Sequence, residues 1–308
     1  MTWQLYCLTY ELLSPLHIGY HKVGNVQRTR YYIPARNLWA AVTERLTRSG
    51  FSTPDAPQGD YQKIGIWVKQ HCAFSYFFVY DDGKLLYPHY AQDGLCYGHL
   101  SAAEFERRWL SAHVTTALDA ATTSAETGSL HEVEFIAPYD DQARRTGVRG
   151  WMFLDEKGKA RLAEGEWRAA LNELQVGGER RYGFGRLRLS DWSADQQTLP
   201  DYAGAGLAAG TDRGDWSADQ QTLPDYEVRL NGLRPQINVQ AKKPLLAHTL
   251  AGNVKARGMI EPLVGRETVG DSRTFGQSLT RGQVCWVPGS VVEGKECLTL
   301  DETGVWSK

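Results

Sequence analysis

The segment VGGERRYGFGRLRL, residues 176–189, decides how the rest of the chain is interpreted. Its glycines are Gly177, Gly178, Gly183 and Gly185, its arginines are Arg180, Arg181 and Arg186, and its aromatic residues are Tyr182 and Phe184. A glycine-rich loop exposes backbone N–H groups that bind anions. Arginines and aromatic rings supply the phosphate contacts and stacking surfaces with which proteins hold RNA. The segment therefore predicts an RNA-binding loop, and a glycine-rich turn with solvated arginines is the simpler alternative.

The order of elements around the loop argues against a dinucleotide site. Gly183 and Gly185 match the start of the G-x-G-x-x-G pattern, but Arg188 stands where that pattern requires its third glycine. The loop also follows a predicted helix, EGEWRAALNEL at 164–174, and opens a strand, GRLRL, which reverses the Rossmann order. The sequence contains no GxxxxGK[ST], HExxH or GxSxG motif.

The elements upstream of the loop predict an α+β domain. Residues 3–13 alternate as a strand, and a helix follows Pro34 and ends at Gly50. A hairpin is predicted at 74–88 around Asp82-Gly83, and HEVEFIAPY at 131–139 is a further strand. The order β–α–β–β–insertion–β–α–loop–β is that of a ferredoxin-like, or RRM-like, domain over 1–190.

The remainder of the chain is predicted to be a linker and a second, reduced domain. DWSADQQTLPDY occurs at 191–202 and again at 215–226, and two copies are too few for a solenoid. We interpret 191–226 as a linker that contains this duplication. Residues 227–308 are rich in strand patterns, and KPLLAHTLAGNV at 243–254 is a possible helix. The predicted fold class is thus α+β, with tandem ferredoxin-like (RRM-like) domains of which the second is smaller and β-rich.

The composition of the chain limits which kinds of site and which cellular location we expect. The net charge of −2 means that any RNA contact depends on a local basic patch. The 5 cysteines are never spaced as CxxC, so we expect neither a zinc site nor a disulfide framework. No signal peptide or apolar membrane-spanning run is recognised, and we expect a cytoplasmic protein without a cofactor or metal.

A second basic and aromatic patch follows the first strand. HKVGNVQRTRYY at 21–32 places the cations Lys22, Arg28 and Arg30 beside Tyr31 and Tyr32. In a ferredoxin-like fold the loop after strand 1 and the loop after helix 2 border the same side of the sheet. The two patches are therefore expected to form one groove.

Three segments in order resemble the RAMP superfamily of CRISPR-associated proteins: SPLHIGY at 14–20, YYIPARNLWAAVTERL at 31–46 and the glycine-rich loop. The closest resemblance is to the Cas-five group of type III effectors, in the subfamilies called Csm-four and Csx-ten. It implies an RRM-like subunit that caps the complex, holds the 5′ handle of the crRNA and contacts the large polymerase-like subunit and the first backbone subunit. It also implies that the subunit contacts target RNA only indirectly.

The resemblance also implies positions for the RNA. The loop residues from Gly177 to Arg186, other than Glu179, would approach the RNA backbone, with His17 and Gly19 nearby. The segment 115–135 resembles a region that contacts the handle or projects as a thumb, which adds Thr115 and Thr116. Together with Lys22, Arg28 and Arg30 these are the predicted RNA-binding residues.

Catalysis is the main alternative. RAMP subunits that cut target RNA carry an aspartate in the loop after strand 1, whereas GYHKVGNVQRTR contains no acidic residue. We therefore expect no catalytic residues and no enzyme. The alternative is a metal-independent crRNA-processing endoribonuclease in which His17 or His21 is the general base. A third hypothesis is a protein-interaction subunit whose basic loops are only structural.

Overall fold

The computed structural model describes residues 2–92, 94–126, 128–163, 165–193, 226–267 and 278–308. The described α-helices are α1 (Ala35–Ser49), α2 (Tyr61–His71), α3 (Ala102–Trp109), α4 (Glu156–Ala163) and α5 (Glu166–Asn172). The strands up to Ser193 are β1 (Gln4–Leu12), β2 (Gly19–Val23), β3 (Val26–Thr29), β4 (Tyr32–Ile33), β5 (Cys72–Phe74), β6 (Phe77–Asp81), β7 (Lys84–Leu86), β8 (Pro88–Ala91), β9 (Gly94–Tyr97), β10 (Leu100–Ser101), β11 (Leu110–Thr115), β12 (His131–Ile136), β13 (Gly147–Leu154), β14 (Glu173–Gln175) and β15 (Arg186–Ser193). The later strands are β16 (Tyr226–Arg229), β17 (Gln236–Val239), β18 (Thr249–Leu250), β19 (Ala256–Arg257), β20 (Ile260–Leu263), β21 (Arg266–Glu267), β22 (Ser278–Leu279), β23 (Gln283–Trp286), β24 (Val291–Val292), β25 (Glu296–Leu300) and β26 (Trp306–Ser307).

The first half is built on one sheet with the strand order β14-β15-β1-β13-β6-β4, in which β5 also pairs with β13 and β7 with β6. Strand β1 lies between β13 and β15 and is antiparallel to both. Helices α1 and α2 connect β4 to β5 and β6, and α4 and α5 connect β13 to the β14 and β15 side. The mixed α+β class is confirmed.

Local sequence signals explain several of these elements. The fixed φ of Pro34 starts α1, whose buried stripe includes Leu38, Val42 and Leu46, and the helix ends at Gly50 with φ 86°. Asp82 and Gly83 have φ of 50° and 80°, the left-handed pair that a two-residue hairpin turn between β6 and β7 requires. These predictions are confirmed.

The predicted strand at 131–139 is present as β12, but it does not join the main sheet. It belongs to a separate sheet with the order β11-β12-β3-β2, and β13 takes the expected place in the main sheet. Gly150 weakens the strand signal of β13, yet a β-carbon there would come 2.1 Å from the ring of Phe77. Glycine is thus required for this sheet to pack. We call the β11-β12-β3-β2 sheet the arm.

The second half contains strands and no helix within 226–267 and 278–308. Its main sheet has the order β16-β17-β25-β26-β18-β23-β20. The predicted helix at 243–254 is wrong, because Thr249–Leu250 forms β18, which pairs with β23 and β26. The ferredoxin-like assignment of both halves therefore stays a prediction.

The predicted linker lies almost wholly outside the described residues. Strand β15 continues to Ser193 and the description resumes with β16 at Tyr226, so most of both copies of DWSADQQTLPDY fall between them. The boundaries 1–190, 191–226 and 227–308 stay predictions.

The second half covers part of one face of the main sheet. Leu5, Trp151 and Phe153 of that sheet and Ile237 and Leu246 of the second half line an apolar cavity of about 40 Å³. RRM domains stack bases on exposed sheet aromatics, and at this end of the face such a platform is covered by protein. Within the described ranges, no helix is long and apolar enough to cross a membrane.

Candidate RNA-binding site at the glycine-rich loop

The glycine-rich loop, 176–185, is docked on the connection between β1 and β2. The N–H of Gly178 donates to the carbonyl of His17 at 2.8 Å, and the N–H of Gly185 donates to the carbonyl of Pro15 at 2.7 Å. The N–H of Arg186 donates to Ser14 Oγ at 2.9 Å. The two segments are therefore adjacent, as predicted, and the loop has a fixed position.

This docking requires a residue without a side chain at Gly177. Its φ is 81°, and a β-carbon there would lie 2.2 Å from the carbonyl oxygen of His17. Such a separation is far below van der Waals contact, so another residue would push the loop away from the connection. Gly177 is thus predicted correctly as a loop residue, with close approach of backbone as its physical role.

The tip of the loop presents one arginine and one tyrosine to solvent. Residues Arg180–Tyr182 form a 3₁₀ turn, and Tyr182 is 76% exposed. Arg181 is exposed and makes no ion pair with the part of the chain that is described. The side-chain amide of Gln175 donates to the carbonyls of Arg180 and Phe184, which holds the turn from below. Tyr182 and Arg181 are therefore displayed on a supported turn.

Phe184 has a different role from Tyr182. Its ring is buried and meets the ring of Phe135 on β12 edge-to-face, with centroids 5.5 Å apart. Phe184 thus joins the loop to the arm, and its ring is not available for stacking on a base.

One face of the arm is directed toward the loop. Strand registers place four residues in a row across the arm: Lys22, Gln27, Val133 and His113. Phe135 lies two residues beyond Val133 and so shares its face. Because Phe135 contacts Phe184, the exposed side chains of Lys22 and His113 lie on the face that meets the loop.

His17 is held between the loop and the arm. It is 4% exposed, and its Nδ1 lies 2.7 Å from the carbonyl oxygen of Glu134. A carbonyl only accepts, so Nδ1 carries the proton and Nε2 carries the lone pair of the neutral ring. Gly178 covers the ring, since a β-carbon there would be 3.0 Å from His17 Cδ2. His17 is therefore placed as a structural link beneath the loop.

The other predicted residues near His17 lie on the arm. Gly19 is exposed at the start of β2. His21 is exposed on the same strand, and its ring centroid is 4.1 Å from that of Tyr20. Neither is brought against the glycine-rich loop by a contact of the described residues.

Two of the predicted cations are engaged within the protein. Arg28 Nε lies 2.8 Å from Glu134 Oε2 and remains half-exposed. The side chain of Arg30 is 13% exposed and pairs at 2.7 Å with Glu261 of the second half. The expectation that Arg30 faces the groove is therefore corrected: its guanidinium joins the two halves, because burial of Glu261 demands a cationic partner.

The threonines of the segment 115–135 are used locally. Thr115 Oγ1 is 2.7 Å from His131 Nε2, and Thr116 Oγ1 is 2.7 Å from Ser129 Oγ. These bonds close the hairpin between β11 and β12. Of the two hydroxyls, that of Thr116 is on an exposed residue.

Arg180 and Arg186 lie on the opposite flank of the loop, next to α1. The guanidinium of Arg180 forms an ion pair with Glu44 of α1. Arg186 lines a cleft with Arg45 and Arg48 of the same helix. The glycine-rich loop thus has two sides, one toward the arm and one toward α1.

Sequence reasoning missed Phe135, Gln175 and His113. The alternation in HEVEFI signals that Phe135 shares a face with Val133, but it does not show which surface that face meets. Gln175 precedes the loop and carries no motif. His113 was not assigned to any element, because the strand β11 begins directly at the end of α3.

The described residues contain no group of three or more His, Cys, Asp or Glu side chains that could hold a metal ion. The strongest cluster at the loop is cationic and aromatic, which suits an anionic and flat ligand.

No family model and no curated protein matches the sequence. Similar solved chains include one from the cryo-EM structure of the Type III-B Cmr-beta bound to cognate target RNA and AMPPnP, with 12% identity, a TM-score of 0.49, and coverage of 93% of this chain and 85% of that chain. Chains from Type III-B Cmr-beta bound to cognate target RNA and from its apo state give 12% and 13% identity and a TM-score of 0.41 each, over 61% and 62% of this chain and 96% and 98% of theirs.

Proposed function

We propose that this chain is a non-catalytic crRNA-binding subunit of a type III CRISPR effector complex. In this role the glycine-rich loop and the arm hold the 5′ handle of the crRNA. The subunit caps the complex and contacts the large polymerase-like subunit and the first backbone subunit. The observation that carries the proposal is the docking of the loop on residues 15–17, which leaves Arg181 and Tyr182 exposed on a supported turn.

The chemistry of the exposed groups fits single-stranded RNA. Arg181 supplies a guanidinium for a phosphate, and Tyr182 supplies a ring on which a base can stack. Lys22 adds a second cation on the face of the arm that meets the loop.

A crRNA-processing endoribonuclease is the second candidate, and one observation favours it. The bond from His17 Nδ1 to the carbonyl of Glu134 leaves Nε2 as the basic nitrogen. A general base must come within hydrogen-bond reach of the proton that it removes. The ring of His17 is only 4% exposed and Gly178 lies over it, so the loop leaves little room for a ribose 2′-hydroxyl at Nε2. The non-catalytic role is therefore the better supported of the two.

The test uses the full-length protein and a single-stranded RNA that carries the repeat-derived 5′ handle. We expect the variant R181A/Y182A to bind this RNA at least tenfold more weakly than the wild type. R107A removes the same charge from an exposed position on α3 and is the matched control. Unchanged binding by R181A/Y182A would contradict the proposal.

Incubation with repeat RNA separates the two candidates. We expect the RNA to remain intact with the wild type. Cleavage that is abolished by H17A, while H17A still folds, would establish the nuclease in its place.

A further inference from the structure

A polar cleft of about 230 Å³ lies between α1 and the start of the glycine-rich loop. Its charged lining residues are Glu44, Arg45, Arg48, Glu173, Arg180 and Arg186. They come from three elements, α1, β14 with the loop, and β15, that the fold brings together. The cleft is on the α1 flank of the loop and does not include Lys22, Arg181 or Tyr182.

Positive charge exceeds negative charge in the cleft, with four guanidinium groups against two carboxylates. Both oxygens of Glu44 are occupied, one by Arg48 at 2.8 Å and the other by Arg180. Glu44 thus holds two arginines from different elements against the same cleft. Arg45 and Arg186 form no ion pair with the residues that the structure describes. The cleft therefore carries two guanidinium groups without a carboxylate of their own.

The rest of the lining restricts the ligand. The apolar lining residues are Ala41 and Leu174, and no described lining residue is aromatic. A nucleobase would find no ring to stack on, and stacking is the usual way in which an unpaired base is held. Arginine is suited to phosphate because its planar fork donates two parallel hydrogen bonds. An excess of two positive charges matches a dianion.

We propose that this cleft is a binding site for a dianionic phosphate group. The group is recognised by the guanidinium groups of Arg45 and Arg186, with Arg48 and Arg180 positioned by Glu44. The ligand is either a phosphorylated RNA end or a free phosphate compound, since both present this chemistry. The site lies outside the groove of the proposed function and does not depend on it.

The experiment titrates the full-length protein with inorganic pyrophosphate and follows the heat of binding in a phosphate-free buffer. We expect saturable binding by the wild type and a loss of about tenfold for each of R45A and R186A, as removal of one charge-assisted hydrogen-bonding partner predicts. R186K keeps the charge without the fork and should recover only part of the affinity. R107A is the control and should bind like the wild type.

Two results would overturn the proposal: no saturable binding by the wild type, or equal binding by the wild type and the double variant R45A/R186A. The two surfaces are tested separately, because R181A/Y182A is expected to keep its affinity for pyrophosphate. Competition of pyrophosphate with a 5′-phosphorylated RNA, but not with the same RNA bearing a 5′-hydroxyl, would assign the cleft to an RNA end. Absence of such competition, with pyrophosphate binding retained, would assign it to a free phosphate compound.

Discussion

Gly185 and Val176 close the neck of the glycine-rich loop by direct contact of their backbones. The N–H of Val176 donates to the carbonyl of Gly185 at 2.9 Å. A β-carbon on Gly185 would lie 1.8 Å from the carbonyl oxygen of Val176, and the φ of Gly185 is 77°. Both the space and the backbone conformation therefore exclude any other residue.

We expect G185A to destabilise the protein by about 3 kcal/mol, which combines the cost of a left-handed alanine with that of the backbone clash. Urea unfolding of the purified variant measures this change. G183A is the matched control, because Gly183 has φ 84° but open space around its β-carbon position. The free energy of unfolding of G183A should decrease by only about 1 kcal/mol. Equal losses in the two variants would show that the contact with Val176 is not a constraint.

The second prediction concerns the bond between His17 and Glu134. H17A removes the donor to the partly buried carbonyl of Glu134, and we expect the loss of this bond to cost about 1 kcal/mol. H17N can place an amide N–H near the position of Nδ1 and should recover part of the loss. Thermal unfolding of both variants distinguishes these cases. If H17N were as unstable as H17A, the packing of the imidazole ring beneath Gly178 would contribute more to stability than the hydrogen bond to Glu134.

Local signals in the sequence predict local structure well in this chain. The turn at Asp82-Gly83 and the end of α1 at Gly50 each depend on residues close in sequence. Both are present in the structure. The glycines of the loop are only partly as the sequence predicts. Gly177, Gly183 and Gly185 have the positive φ that favours glycine. The expected anion-binding N–H groups of Gly178, Gly183 and Gly185 instead donate to carbonyl oxygens of the protein.

Pairings between distant segments could not be predicted in the same way. Arg30 is a solvated cation by its sequence context, yet Glu261, more than two hundred residues away, makes it an interior group. Phe184 and Tyr182 are equivalent in the sequence motif, but the contact with Phe135 buries one and leaves the other exposed. Such outcomes depend on tertiary contacts that no periodicity encodes.

The contact between the two halves includes a buried polar network. His248 Nδ1 accepts from the hydroxyl of Tyr76 at 2.7 Å, and His248 Nε2 donates to Glu261 at 2.5 Å. Glu261 also pairs with Arg30. Burial lowers the pKa of His248 below its ordinary value of 6.5. Burial alone would raise the pKa of Glu261, but the hydrogen bond from His248 and the charge of Arg30 outweigh it and lower that pKa.

These directions predict that the protein is less stable in mild acid. The unfolded chain protonates His248 at a higher pH than the folded chain does, so it binds more protons as the pH falls below 6.5. The stabilisation is fully present above this value and decreases toward the lowered pKa of the folded state. Glu261 adds to the loss only below its ordinary pKa of 4.5. The free energy of unfolding between pH 5 and pH 7.5 measures the contribution of His248.

H248Q is the variant that tests this assignment, since glutamine can still donate to Glu261 and does not titrate. We expect its free energy of unfolding to depend less steeply on pH than that of the wild type over the same range. An identical slope in the two proteins would mean that other groups cause the acid sensitivity.

The last prediction separates the two exposed residues at the tip of the loop. R181A should flatten the plot of log affinity for single-stranded RNA against log salt by about 0.7, the slope expected for one phosphate contact. Y182A should weaken binding by about 1–3 kcal/mol with the salt slope unchanged, because stacking does not release counterions. Y182F keeps the ring and should bind like the wild type. Binding titrations at four salt concentrations measure affinity and slope together. A steeper loss of slope in Y182A than in R181A would mean that the tyrosine positions a cation and does not stack on a base.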